Sequence, residues 1–200
     1  HRKLGKVAEL ASGFGGWVGS WVQFGALDYL QDENEVKKNI LAWWDASPAI
    51  VEAWGGQTRG KPWENQETEY YGLEGAFIQA VLHPGQSIPW RCGISYLYED
   101  ENVYCTLPSG RRITYHNARL GIDHARGGKY KIIYWGWNTN PKMGPRGWVQ
   151  LDTYGGRLFE NVVQGTARDI MSNAAINLHN KGYHVSLRVH DELGTMVPEG

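Results

Sequence analysis

Two hundred residues with 42% apolar side chains suffice to close an ordinary core in one domain or two small ones, which excludes a disordered tail. No run approaches the roughly 18 apolar residues of a membrane span, and the amino-terminal residues lack the basic-then-apolar order of a secretory signal, so a soluble, intracellular protein is expected. Twenty Lys and Arg against 21 Asp and Glu leave a formal net charge of −1, so any surface for a polyanion has to be a local concentration of cations.

Cys92 and Cys105, the only two cysteines, have no zinc-like spacing and read as reduced thiols. Glycine takes 26 positions, nearly twice its usual share of about 7%, and there are ten tryptophans. Turns and flat faces are therefore in demand. The chain opens on His1 and closes after Leu193 to Val197, an apolar run that reads as a strand begun and not completed. A fragment cut at both ends is expected.

In chain order, Arg2 to Ser12 is a proline-free run of helix formers that stops at Gly13, Gly15, Gly16 and Gly19, residues that a helix holds only at a cost. Arg2, Lys6, Leu10 and Phe14 fall four apart, so they share a slowly drifting helix face that is mixed in character and not a core stripe. Asp32 to Trp44 predicts a second helix through Val36, Ile40, Leu41 and Trp44, and Pro48 to Trp54 begins a third. From Pro84 to Tyr154 the pattern changes to short β-rich runs: Ile94 to Tyr98, Val103 to Leu107, Arg112 to Tyr115 and Lys129 to Trp135. Turn signals at Pro108-Ser109-Gly110, Gly127-Gly128 and Asn140-Pro141 separate them, so roughly three to five antiparallel strands are expected.

Arg157 to Lys181 predicts a long helix with one broad apolar face of Leu158, Val162, Val163, Ala167, Ile170, Met171, Ala174 and Leu178, ended by Gly182. Its other face carries Arg157, Asn161, Gln164 and Arg168. His184 to Val189 alternates, and a second apolar run follows His190-Asp191-Glu192, which predicts a hairpin with an acidic tip. The expected organisation is α+β: a helical region over 1–83, a β-rich insertion over 84–154, and a long helix with its hairpin over 155–200.

Carboxylates raised on a rigid hairpin suit a hard divalent cation, and magnesium takes one or two of them together with substrate phosphates. On spacing alone, Asp191 and Glu192 equally describe a solvated turn, Gln164 and Arg168 a polar helix face, and Arg2 and Lys6 a solvated cationic face. The cluster Gly13 to Gly19 does not make a dinucleotide loop, because Val18 stands where the last glycine belongs and no strand precedes it.

Taken jointly, the runs Arg2-x-x-x-Lys6 with Phe14-Gly15, Gln164-Gly165-Thr166-Ala167-Arg168-Asp169 and Val189-His190-Asp191-Glu192 resemble the fingers helix, palm helix and metal-binding hairpin of the family A (DNA polymerase I-like) DNA polymerases, in the family's order. The wording of Gly5 to Leu10 and of Tyr154-Gly155-Gly156-Arg157 running into Glu160 to Gln164 is most similar to polymerases of tailed bacteriophages. A single-subunit RNA polymerase shares the hairpin Asp and the basic helix, but not the palm-helix run or the Glu after Asp191. A non-catalytic, Trp-rich module for nucleic acid or carbohydrate has no reason to contain either run.

The resemblance implies template-directed DNA synthesis from dNTPs on primer-template DNA, with two Mg2+ ions, in the cytoplasm of an infected bacterial host. Arg2 and Lys6 would neutralise the triphosphate, and Phe14, at the family's Tyr position, would stack near the templating base. Gln164 and Arg168, with Arg157 and Asn161 on the same helix, would face the primer-template minor groove, where acceptors recur at every base pair. Asp191 would be a metal ligand, Glu192 would stand beside the site, and His190 would contact the primer end.

Three departures accompany the resemblance. The family's other metal-binding aspartate precedes the fingers helix, so the chain is expected to be inactive without the remainder of the polymerase, on the same polypeptide or another. Leu10 stands where the best-known relatives carry Phe or Tyr against the nucleotide sugar, which implies a trade of incorporation speed for selectivity. Phe14 to Gln164 spans 150 residues, a surplus that coincides with the β-rich segment. There Trp90, Trp135, Trp137 and Trp148, with Arg111, Arg112, Arg119, Lys129 and Lys131, either form a DNA-touching surface or pack and solvate a small sheet.

Overall fold

The computed structural model describes residues 2–55, 71–124, 128–141 and 144–196. Gly127 of one expected turn and Val197 of the last expected strand lie outside them. The fold is α+β, and the chain divides into two compact units, residues 1–161 and 162–200.

The first unit opens with five helices: α1 (Arg2–Ser12), α2 (Val18–Gln23), α3 (Glu33–Ala46), α4 (Pro48–Trp54) and α5 (Gly72–Leu82). Helix α1 turns Val7 and Ala11, one turn apart, into a cluster with Val18, Trp21, Ala26, Leu30, Val36 and Ile40, and this apolar stripe decides its orientation. Asp32 caps α3 by accepting from the backbone N–H of Asn34 and Glu35, each at 2.8 Å, and Pro48 occupies the first turn of α4, where its missing N–H costs nothing.

Six antiparallel strands follow in sequential order, β1 (Ile88–Pro89), β2 (Ser95–Glu99), β3 (Asn102–Thr106), β4 (Arg112–Asp123), β5 (Lys129–Asn138) and β6 (Gly147–Thr153). This is one more than the largest number expected. The run expected to stop at Tyr115 continues to Asp123 through an irregularity between His116 and Arg119. Because Tyr115 and Ala118 are both buried, three positions apart, the period of two breaks there and cannot be followed in sequence.

One face of the sheet buries Tyr96, Val103, Cys105, Tyr115, Ala118 and Ile132. Helix α5 lies against it, with the Phe77 ring 5.5 Å from Tyr96 and 5.2 Å from Tyr115. The sheet and α5 thus share a core. Burial pushes the Cys105 thiol up from 9.0 to about 11, whereas Cys92 is exposed, and both are free.

Helix α6 (Gly155–Asn180) starts two residues ahead of its expected position. A Cβ on Gly155 would stand 1.9 Å from the Trp54 carbonyl oxygen, and one on Gly156 would stand 2.0 Å from that of Phe14. Only glycine fits at either place. The Gly155 N–H donates to Glu74 Oε2 at 2.8 Å, so a carboxylate from α5 meets the positive end of the helix.

The second unit holds the rest of α6 and a hairpin, β7 (His184–Val189) and β8 (Glu192–Met196). Gly182, at φ +87°, ends α6, and the Tyr183 N–H returns to the Leu178 carbonyl at 3.0 Å, closing the helix as a glycine C′ does. The broad apolar face expected on α6 is buried at Leu158 and Val162 but exposed at Val163 and Ile170. The hairpin likewise exposes Leu187, Val189 and Met196.

Gly156→Ala should lower stability in urea unfolding by at least about 2 kcal/mol through overpacking. Gly5→Ala, where a Cβ meets nothing within 4 Å, should raise it by about 0.5–1 kcal/mol. Thiol labelling at neutral pH should modify Cys92 rapidly and Cys105 only on unfolding. Because the Cys105 value is raised in the folded state, its contribution to stability is complete below pH 9 and is lost as the pH rises toward about 11.

Candidate functional site

Two polar surfaces, one in each unit, carry the residues singled out by sequence. On α1, burial of Val7 and Ala11 turns Arg2, Lys6 and Leu10 outward, and all three are exposed. Among the described residues neither Arg2 nor Lys6 is engaged in an ion pair, so one helix face offers two cations a turn apart. Leu10 stands one turn further on at 45% exposure.

The end of α1 is fixed by indole groups. Trp21 Nε1 donates to the buried Ser12 Oγ at 2.9 Å, Trp54 Nε1 to the Gly13 carbonyl at 3.1 Å, and Trp43 Nε1 to Glu9 Oε1 at 3.1 Å. The chain then reverses through Gly15 at φ +74°, which favours glycine. Phe14 is half-buried, its ring centroid 6.4 Å from that of Phe159, and its carbonyl accepts from Tyr154 Oη at 3.4 Å. Phe14 is therefore held at the start of α6.

The four polar residues expected together on α6 fall into two groups. Arg157 donates to the Asp152 carbonyl at 3.3 Å and lies 5.6 Å over the Tyr154 ring, and Asn161 Nδ2 donates to Tyr115 Oη at 3.0 Å. Both side chains are occupied inside the first unit. Gln164 and Arg168, one turn apart in the second unit, are exposed.

At the hairpin, Val189 pairs with Glu192 and leaves His190 and Asp191 as the two-residue tip. His190, Asp191 and Glu192 are all exposed, and Arg188 Nη2 reaches Ser172 Oγ of α6 at 3.5 Å. His190 takes φ +50°, a left-handed conformation that costs a non-glycine residue about 1–2 kcal/mol. Asp191 and Glu192 supply adjacent carboxylates of the kind a hard cation takes. Among the described residues no group of three or more His, Cys, Asp or Glu is assembled to hold a metal, so the hairpin can furnish part of a coordination shell.

Sequence reasoning missed Glu74, whose partner Gly155 is 81 positions away, and the Asn161 to Tyr115 bond; neither has a local signature. The His190 conformation was accessible only as an inference from the two-residue turn. His190→Val, β-branched at positive φ, should accelerate amide hydrogen exchange across the Val189 and Glu192 pair severalfold, whereas His190→Gly should leave it unchanged or slower.

The chain is 37% identical over 199 residues to a DNA polymerase of Bacillus phage SP02, an alignment that takes in all of this chain and 27% of that protein. No family model matches the chain, and no solved structure matches it significantly. None of the described helices is long and apolar enough to cross a membrane. The chain spans about a quarter of the phage protein's length and carries, throughout that span, the likeness to a DNA polymerase.

Proposed function

We propose that this chain is the fingers region and part of the palm of a family A, phage-type DNA polymerase, and that it acts in nucleotidyl transfer from dNTP to a primer 3′-hydroxyl together with polymerase segments outside it. The observation that carries the reading is the whole-chain likeness to the SP02 DNA polymerase, within which the two cations of α1 and the carboxylates of the hairpin lie exposed.

In this reading Arg2 and Lys6 bind and orient the triphosphate, placing positive charge where the transferring and leaving phosphates gain negative charge. Phe14 offers an aromatic plane at the end of the same helix, and Leu10 sets the apolar contact beside the nucleotide sugar. Gln164 and Arg168 present donors to the minor-groove edge of the primer-template, where acceptors recur regardless of sequence. Arg157 and Asn161 support that helix from below: their side chains fasten its first turns to Tyr154, Asp152 and Tyr115.

The carboxylate of Asp191, with Glu192 beside it, would hold Mg2+, the remaining ligands coming from phosphate oxygens, water and a carboxylate outside this chain. Magnesium, when bound, lowers the cost of ionising the primer hydroxyl and of charge on the departing pyrophosphate. His190 orients the primer end from the strained tip of the hairpin.

Primer extension with magnesium tests the reading, using this chain alone, the chain joined to its upstream polymerase sequence, and the joined form carrying Asp191→Asn. The joined form should extend the primer, the chain alone should not, and Asp191→Asn should cost at least about 10²-fold in rate. Undiminished extension by Asp191→Asn, or an inactive joined form, would overturn the assignment in favour of a binding module.

A further inference from the structure

Polymerisation, as proposed, makes no use of the outer face of the β-sheet. Trp137 alternates with Asn138, which is 4% exposed on the core side, and is itself 65% exposed. Directly opposite it in the register is Trp148, 51% exposed. The His116 ring stands 5.2 Å from Trp148, and His116 pairs in register with Trp135, which pairs with Gln150. Two large indoles and an imidazole thus share one solvent-facing patch, and an exposed cluster of large aromatic rings is the kind of surface that marks a contact site.

The carboxylates on this face are matched to lysines. They are, on β4 to β6, Asp123 at the far end of the strands and Asp152, which shares a row with Ile133 and Arg119. Asp152 is bridged to Lys131 at 2.8 Å, which holds its carboxyl below the usual range, and Asp123 is in register with Lys129. Trp137 lies six residues beyond Lys131, about 20 Å along β5. Two guanidinium groups flank the aromatic patch, Arg119, which donates to Gln150, and Arg146, exposed two residues ahead of Trp148, while the carboxylate in the row of Arg119, Asp152, is matched by Lys131.

We propose that the Trp137 and Trp148 patch is a stacking platform for single-stranded DNA, separate from the primer-template contacts. This rests on the reading of the chain as part of a DNA polymerase, whose template and displaced strands would be such ligands. Exposed indole faces match unstacked bases, which only a single strand presents, and flanking guanidinium groups match its phosphates. The amide of Gln150 and the imidazole of His116 add hydrogen-bonding groups at the rim. Duplex DNA has its base faces covered, and a neutral oligosaccharide carries no phosphate charge for the arginines to pair with.

The test is fluorescence anisotropy of a labelled oligothymidylate of roughly 15 nucleotides titrated with the 200-residue chain. Trp137→Ala with Trp148→Ala should weaken binding at least about tenfold, while Trp137→Phe with Trp148→Phe should stay within about threefold of the parent. Arg119→Ala with Arg146→Ala should flatten the dependence of affinity on salt. The platform assignment is overturned if the double alanine variant, with its circular dichroism unchanged, binds like the parent, if a blunt duplex of equal length competes as well as the single strand, or if an oligosaccharide displaces the oligothymidylate.

The polymerase reading is judged separately, by extension with Asp191→Asn. Loss of extension there with ring-independent oligonucleotide binding removes the platform alone. Ring-dependent binding with unimpaired extension by Asp191→Asn removes the polymerase site alone.

Discussion

The close approach of Gly155 and Gly156 to the carbonyls of Trp54 and Phe14 is the constraint on which the first unit is built. Backbone meets backbone there without an intervening side chain, which brings the start of a 26-residue helix against the glycine turn that ends α1. Glu74 closes the arrangement by accepting from the Gly155 N–H. Two glycines are a poor way to begin a helix by propensity, so the carboxylate and the surrounding packing have to supply what the local sequence withholds.

The tryptophans divide between two kinds of work. In the helical region Trp21, Trp43 and Trp54 bond α1 and the turn after it through their indole N–H groups, and Trp43 stacks on Trp54 at 6.2 Å with 7° between planes. Large rigid rings with a single donor can fill a space and fix a register at once. In the sheet, Trp137 and Trp148 face each other across strands with most or half of their surface in solvent. The β-rich segment is also no loose appendage, because Phe77 of α5 packs on Tyr96 and Tyr115, and excising the sheet would strip the core from one side of that helix.

Local patterns were legible where one principle acted alone. The glycine stop after Ser12, the Asp32 start of α3, the Gly182 stop and the hairpin tip follow from capping and turn chemistry within a few residues. The length of β4 was not, because a bulge shifts its inward positions from one parity to the other. Nor was the division of the polar residues of α6, since Asn161 is drawn to Tyr115 across 46 positions and no local pattern encodes such a partner. The candidate site was legible as types and spacing, Arg2 with Lys6 and Asp191 with Glu192. Which of those side chains stand in water depended on the burial of Val7 and Ala11 and on the strand register.

The sequential order of the six strands bears on how the chain reaches its fold. Every strand pairs with its immediate predecessor, so each pairing closes only a short loop and its entropic cost is low. The amino end of α6 has the opposite character, since its partners at Phe14, Trp54 and Glu74 lie far back in the chain. Helix nucleation is unfavourable until such contacts exist. The contacts that hold α5 on the meander, Phe77 with Tyr96 and Tyr115, therefore close much shorter loops than those that hold the first turn of α6, Gly155 with Glu74 and Tyr154 with Phe14.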